Sequence, residues 1–109
     1  AKIASVIYNR LKANMQLGID STSLYTHQDH EGSPTAEMFA DTSDPYNTRA
    51  NKGLTPTAIC SPGLPSIQAA LKPAATNYYY YALDTATNTH KFFTTASQFN
   101  AFVATQNYG

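Results

Sequence analysis

Three prolines, Pro56, Pro62 and Pro65, fall between Gly53 and Ser66, and they bar that stretch from being either a helix interior or a central strand. Each ring fixes φ, removes a backbone donor and biases its predecessor toward extended geometry. Residues 53–65 are therefore expected as a stiff, non-helical connection. Just ahead stand Tyr46-Asn47-Thr48, and within the stretch Gly53-Leu54-Thr55-Pro56-Thr57-Ala58-Ile59 runs on to Ser61-Pro62-Gly63. Small polar groups and rigid turns gather here without the charge of a disordered linker, which reads as the wall of a binding groove.

On either side the periodicity is regular. Ile3, Val6, Ile7 and Leu11 recur at helical spacing, which predicts a helix over roughly 2–13 that stops near Asn14. The pattern starts with no capping prologue, so the chain is expected to be part of a longer protein. Met15, Leu17 and Ile19 alternate as in a short extended segment. Asp20, Ser21 or Thr22 can cap a second helical turn carrying Leu24 and Tyr25. Residues 27–44 are polar and punctuated, with a turn of helix at 36–40. Ser66 is expected to cap a helix through Leu71 that Pro73 ends. Tyr78–Leu83 and His90–Thr95 are β-prone runs around a turn-rich 84–89, the pattern of an antiparallel hairpin. Ser97 is expected to cap a last helix with Phe99, Phe102 and Val103 inward. The fold class is α+β: one small domain over 1–109 with several short helices and a β-hairpin.

Composition excludes several functions. Seven basic residues balance seven acidic ones in 109, so no net field draws the chain to the phosphates of nucleic acid. There is no apolar run of transmembrane length and no secretory leader in these residues. Cys60 is the lone cysteine, so no internal disulfide forms; with no electropositive neighbourhood in sequence it is read as a small buried packing group. His27 and His30 beside Asp29 and Glu31 offer metal-ligand chemistry, but the loop lacks a second pair of ligands, and the reading assigns no metal. No G-x-S-x-G nucleophile elbow occurs.

Eight tyrosines and no tryptophan suit a sugar or peptide surface as well as a core edge, and Tyr25 and Tyr46 fit either role. Asn47 and Thr48 offer uncharged donors and acceptors that match sugar hydroxyls and N-acetyl groups, and they also build ordinary turns. Arg10 can anchor a peptide carboxylate or serve as a C-terminal helix charge. Asp20 reads physically as an N-cap.

The order of motifs resembles the catalytic domain of the YceG-like, MltG-type endolytic murein transglycosylases. The resemblance rests on Ala4-Ser5-Val6-Ile7-Tyr8-Asn9-Arg10-Leu11, Met15-Gln16-Leu17 leading to Asp20-Ser21, Tyr25, and Ser43-Asp44-Pro45-Tyr46-Asn47-Thr48. It continues through Gly53–Ile59, Ser61-Pro62-Gly63, Ser66–Ala74, Tyr79-Tyr80-Tyr81 and His90-Lys91-Phe92-Phe93-Thr94.

The resemblance implies cleavage of β-1,4 bonds in nascent peptidoglycan strands, with a 1,6-anhydro-muramic product and no cofactor. It implies substrate contacts at Asn9, Asp20, Ser21, Tyr25, Tyr46, Asn47 and Thr48. It places the catalytic glutamate in a helix upstream of Ala1, so the chain alone is expected to be inactive; Glu31 and Glu37 lie in the polar excursion. It also implies a membrane anchor outside these residues, an extracytoplasmic site, and partners among the cell-wall synthesis machinery. A non-catalytic peptidoglycan-binding or assembly module is the alternative. Members of the family have carried an aminodeoxychorismate lyase label, but none of the five lysines has a pyridoxal-phosphate-binding context.

Overall fold

The computed structural model describes residues 1–32 and 34–106. Its elements follow in the order α1 (Lys2–Lys12), α2 (Asp20–Tyr25), α3 (Ala36–Ala40), α4 (Leu64–Leu71), β1 (Tyr80–Asp84), β2 (Thr89–Phe93) and α5 (Ala96–Val103). This is the α+β fold expected from the sequence. No helix among the described residues is long and apolar enough to cross a membrane. The chain forms two compact units, one of Ala1–Asn9 with Leu64–Gly109 and one of Arg10–Gly63.

In the first unit, α1 is held through polar side chains as well as its apolar stripe. Val6 is only 1% exposed, and Ser5 beside it 2%. The Ser5 hydroxyl donates to the Lys2 carbonyl at 2.6 Å and shares a 2.7 Å hydrogen bond with the Thr76 hydroxyl. One turn on, Asn9 Nδ2 donates to the carbonyls of Thr76 and Tyr78, both at 2.9 Å. Tyr8 donates to the Ala70 carbonyl at 2.7 Å. Residues 5, 8 and 9 share one helix face, so the segment 70–78 is tied along it.

The hairpin pairs Tyr80 with Phe93 through Asp84 with Thr89. Asn88 adopts the left-handed conformation that closes its turn (φ 55°) and donates to the Asp84 carbonyl. Helix α5 lays Phe99 against Tyr80 (5.3 Å between ring centres) and Phe102 against Phe93 (5.3 Å). Its cap is Thr95 rather than Ser97: Thr95 is extended, so its hydroxyl can accept from the Gln98 N–H. Helix α4 likewise starts at Leu64, ahead of the expected Ser66 cap. Pro65 sits in its first turn, where the missing N–H has no partner to lose. Leu64, Ile67 and Leu71 lie on one exposed side of α4.

The second unit opens where α1 stops. Asn14 is left-handed (φ 57°), its N–H donates to the Leu11 carbonyl and Met15 N–H to the Arg10 carbonyl, a Schellman ending with asparagine in the glycine position. The extended segment expected over 15–19 is broken at Gly18 (φ 62°). A β-carbon there would lie 3.2 Å from Arg10 Nη1, which donates to the carbonyls of Gln16 and Leu17. Gly18→Ala is expected to destabilise the chain by about 1–2 kcal/mol through the left-handed backbone alone, read as a lowered urea midpoint. Arg10 Nη1 thus serves backbone carbonyls.

Candidate functional site

The second unit is organised by Asn47 and Thr48, which the resemblance places on a groove surface and the structure encloses. Asn47 is 0% exposed and Thr48 2%. Asn47 Nδ2 donates to the carbonyls of Met38, Phe39 and Asp41, each at 2.9 Å, and its Oδ1 accepts from Ser23 Oγ and the Arg49 N–H at 3.2 Å. Thr48 Oγ1 accepts the Ile19 N–H at 2.8 Å and pairs with Thr22 Oγ1 at 2.9 Å. Every polar atom is spent inside, so neither side chain reaches a ligand. Their work is to bind α2, α3 and the 44–51 turn into one piece. Asn9, in the other unit, is half-buried, and its Nδ2 is committed to backbone carbonyls.

What these two buried residues display is the pair that flanks them. Tyr46 turns out against Tyr25, ring centres 4.9 Å apart and tilted by 41°, and its hydroxyl bonds Thr57 Oγ1 at 2.8 Å. Tyr25 is exposed at the end of α2, so the two rings form an apolar edge facing water. At the other end of α2, Asp20 Oδ1 accepts from Arg49 Nη2 at 2.9 Å and from Nε at 3.3 Å. The guanidinium carbon lies 4.3 Å from the centre of the Phe39 ring. Asp20 is therefore no N-cap. The cap position is Ile19, whose side chain has no acceptor to offer; its N–H donates to Thr48 Oγ1 and its carbonyl accepts from Thr22 Oγ1. Ser21 is exposed on α2.

Asp44 and Asp41 brace the turn. Asp44 accepts from the Thr26 hydroxyl at 2.5 Å and the Tyr46 N–H at 3.0 Å. The hydroxyl and N–H of Ser43 both donate to Asp41, which holds its carboxyl below the ordinary value near 3.8. A lowered folded-state value keeps this contact at and above that pH and releases it as the pH falls further.

His27 Nδ1 lies 2.9 Å from the Ser23 carbonyl, and no group of three His, Cys, Asp or Glu among the described residues gathers as a metal site. Cys60, read as buried, is exposed, because the proline-rich connection runs over the surface. Sequence reasoning missed Arg49 and Asp44. Arg49 had a signal: it is one of only two arginines in a charge-poor chain and directly follows Tyr46-Asn47-Thr48.

The YceG-like family model matches residues 1–105. An endolytic murein transglycosylase of Bacillus subtilis (strain 168) is 45% identical over 80 residues, covering 73% of this chain and 22% of that protein. The crystal structure of a YceG-like protein from Listeria monocytogenes superposes with a TM-score of 0.85 at 38% identity, over 92% of this chain and 32% of that one. The chain thus spans less than a third of the length of these relatives.

Proposed function

The chain belongs to the YceG-like family, and on that premise we propose that it is the acid-free part of the catalytic domain of a peptidoglycan lytic endotransglycosylase. The observation that carries this reading is the 45% identity to the endolytic murein transglycosylase of Bacillus subtilis. The reaction is a lyase cleavage of β-1,4 glycosidic bonds in nascent strands. One glutamic acid protonates the leaving oxygen, then serves as base while the sugar's own C6 hydroxyl closes on C1 to give the 1,6-anhydro end. In this reading that glutamate lies upstream of Ala1.

The exposure of the chain's own glutamates supports the assignment of the acid elsewhere. These are Glu31 and Glu37, and both are exposed. A general acid of this kind works from a partly apolar enclosure, which an exposed side chain lacks.

The chain's own contribution is substrate contact. Tyr25 and Tyr46 offer a stacking edge for a sugar ring, and Asp20 and Ser21 offer exposed acceptors and donors on the same helix. Asn47 and Thr48 position these elements from inside the unit. The longer protein is held at the cytoplasmic membrane with this part on the outer side, near the cell-wall synthesis machinery.

Tyr25→Ala is expected to weaken binding of uncross-linked glycan strands by about 1 kcal/mol and, through loss of the Tyr46 ring contact, to lower stability by about 0.5–1.5 kcal/mol. Calorimetric titration beside a thermal melt checks both. Unaltered affinity would remove the stacking edge from the site.

A further inference from the structure

We propose that Arg49 anchors the free carboxylates of the short peptides carried by the glycan strand, an inference that rests on the peptidoglycan reading above. The guanidinium is held on two sides. Phe39 covers one face at 4.3 Å, and Asp20 Oδ1 alone takes the Nε and Nη2 hydrogens on one edge. Nη1 has no acceptor among the described residues, and the side chain is 46% exposed.

One buried side chain fixes both partners. Asn47 Nδ2 holds the Phe39 carbonyl while Asn47 Oδ1 holds the Arg49 N–H, so ring and guanidinium hang from the same anchor. The arginine is set in place before any ligand arrives, which reduces the ordering that binding must impose. What remains open is the outer fork of the guanidinium, whose parallel donors match a carboxylate better than a single sugar hydroxyl. The Asp20–Arg49 pair is neutral as a whole, and the chain carries no net charge, so the site has no cluster of cations for a phosphate polymer.

The test titrates the 109-residue chain with two ligands: uncross-linked strands bearing their peptides, and the same strands with every peptide carboxylate converted to a neutral amide. Arg49→Gln is expected to weaken binding of the peptide-bearing strands about tenfold, from loss of charge-assisted hydrogen bonds, and to leave binding of the amidated strands unchanged. The tenfold difference shrinks at high salt. Arg49→Lys, which keeps the charge without the fork, is expected to recover only part of it. Circular dichroism verifies that the variants fold. No loss, an equal loss on both ligands, or full rescue by lysine overturns the inference. Failure of the unaltered chain to bind either strand overturns the glycan reading instead, and this inference with it.

Discussion

Asn47→Asp is expected to destabilise the Arg10–Gly63 unit by about 4 kcal/mol or more, the sum of lost hydrogen bonds and a buried charge. The amide donates to three carbonyls from a position with no solvent exposure. A carboxylate of the same shape removes every donor and turns a negative charge toward those oxygens. Against a total stability of roughly 5–15 kcal/mol for a domain, that is enough to unfold much of the population. Asn47→Ala, which leaves the carbonyls unpaired without adding charge, is expected to cost about 3 kcal/mol. Acidification should partly rescue the aspartate variant and not the alanine one, because protonation removes the charge. Urea unfolding across pH measures all of this; a change under about 1 kcal/mol for aspartate would mean the cage is not what holds α2 to α3.

The second large effect concerns catalysis in the longer protein. Under the proposed function, replacing the glutamate it assigns upstream of Ala1 by glutamine is expected to lower release of anhydro ends by a factor of about 10² to 10⁴, the usual contribution of a positioned acid. Glu31→Gln and Glu37→Gln are expected to leave that rate unchanged, since both carboxyls stand in water. Product ends counted by mass spectrometry decide between the three positions. A collapse of activity on removing Glu37, with the upstream position silent, would relocate the chemistry into the α3 loop.

Much of the fold was legible because local signals act over a few residues. The short helix at 36–40 and the hairpin on either side of residues 85–88 follow from spacing and turn chemistry, and Asn14 ends α1 as its αL tolerance allows. Helix starts were less legible. Thr95 caps α5 in place of Ser97, and Leu64 opens α4 ahead of Ser66, because a hydroxyl can cap only where its own backbone is extended. Placement of the candidate site residues was legible only in part. Tyr25, Tyr46 and Asp20 do come to one unit, but Asn47 and Thr48 point inward. A polar side chain goes inside when enough partners close around it, and those of Asn47 and Thr48 range from Ile19 to Asp41. No local window of sequence contains that arrangement. Cys60 fails in the opposite sense: a residue type that is usually buried lies on a connection that has no core to enter.

The most direct test of the account mixes the 109-residue chain with uncross-linked peptidoglycan strands, then measures sedimented protein and product ends in the same sample. The chain is expected to sediment with the polymer while the strands keep their length and gain no 1,6-anhydro ends. Anhydro products released by this chain alone, with turnover through many bonds per molecule, would contradict it.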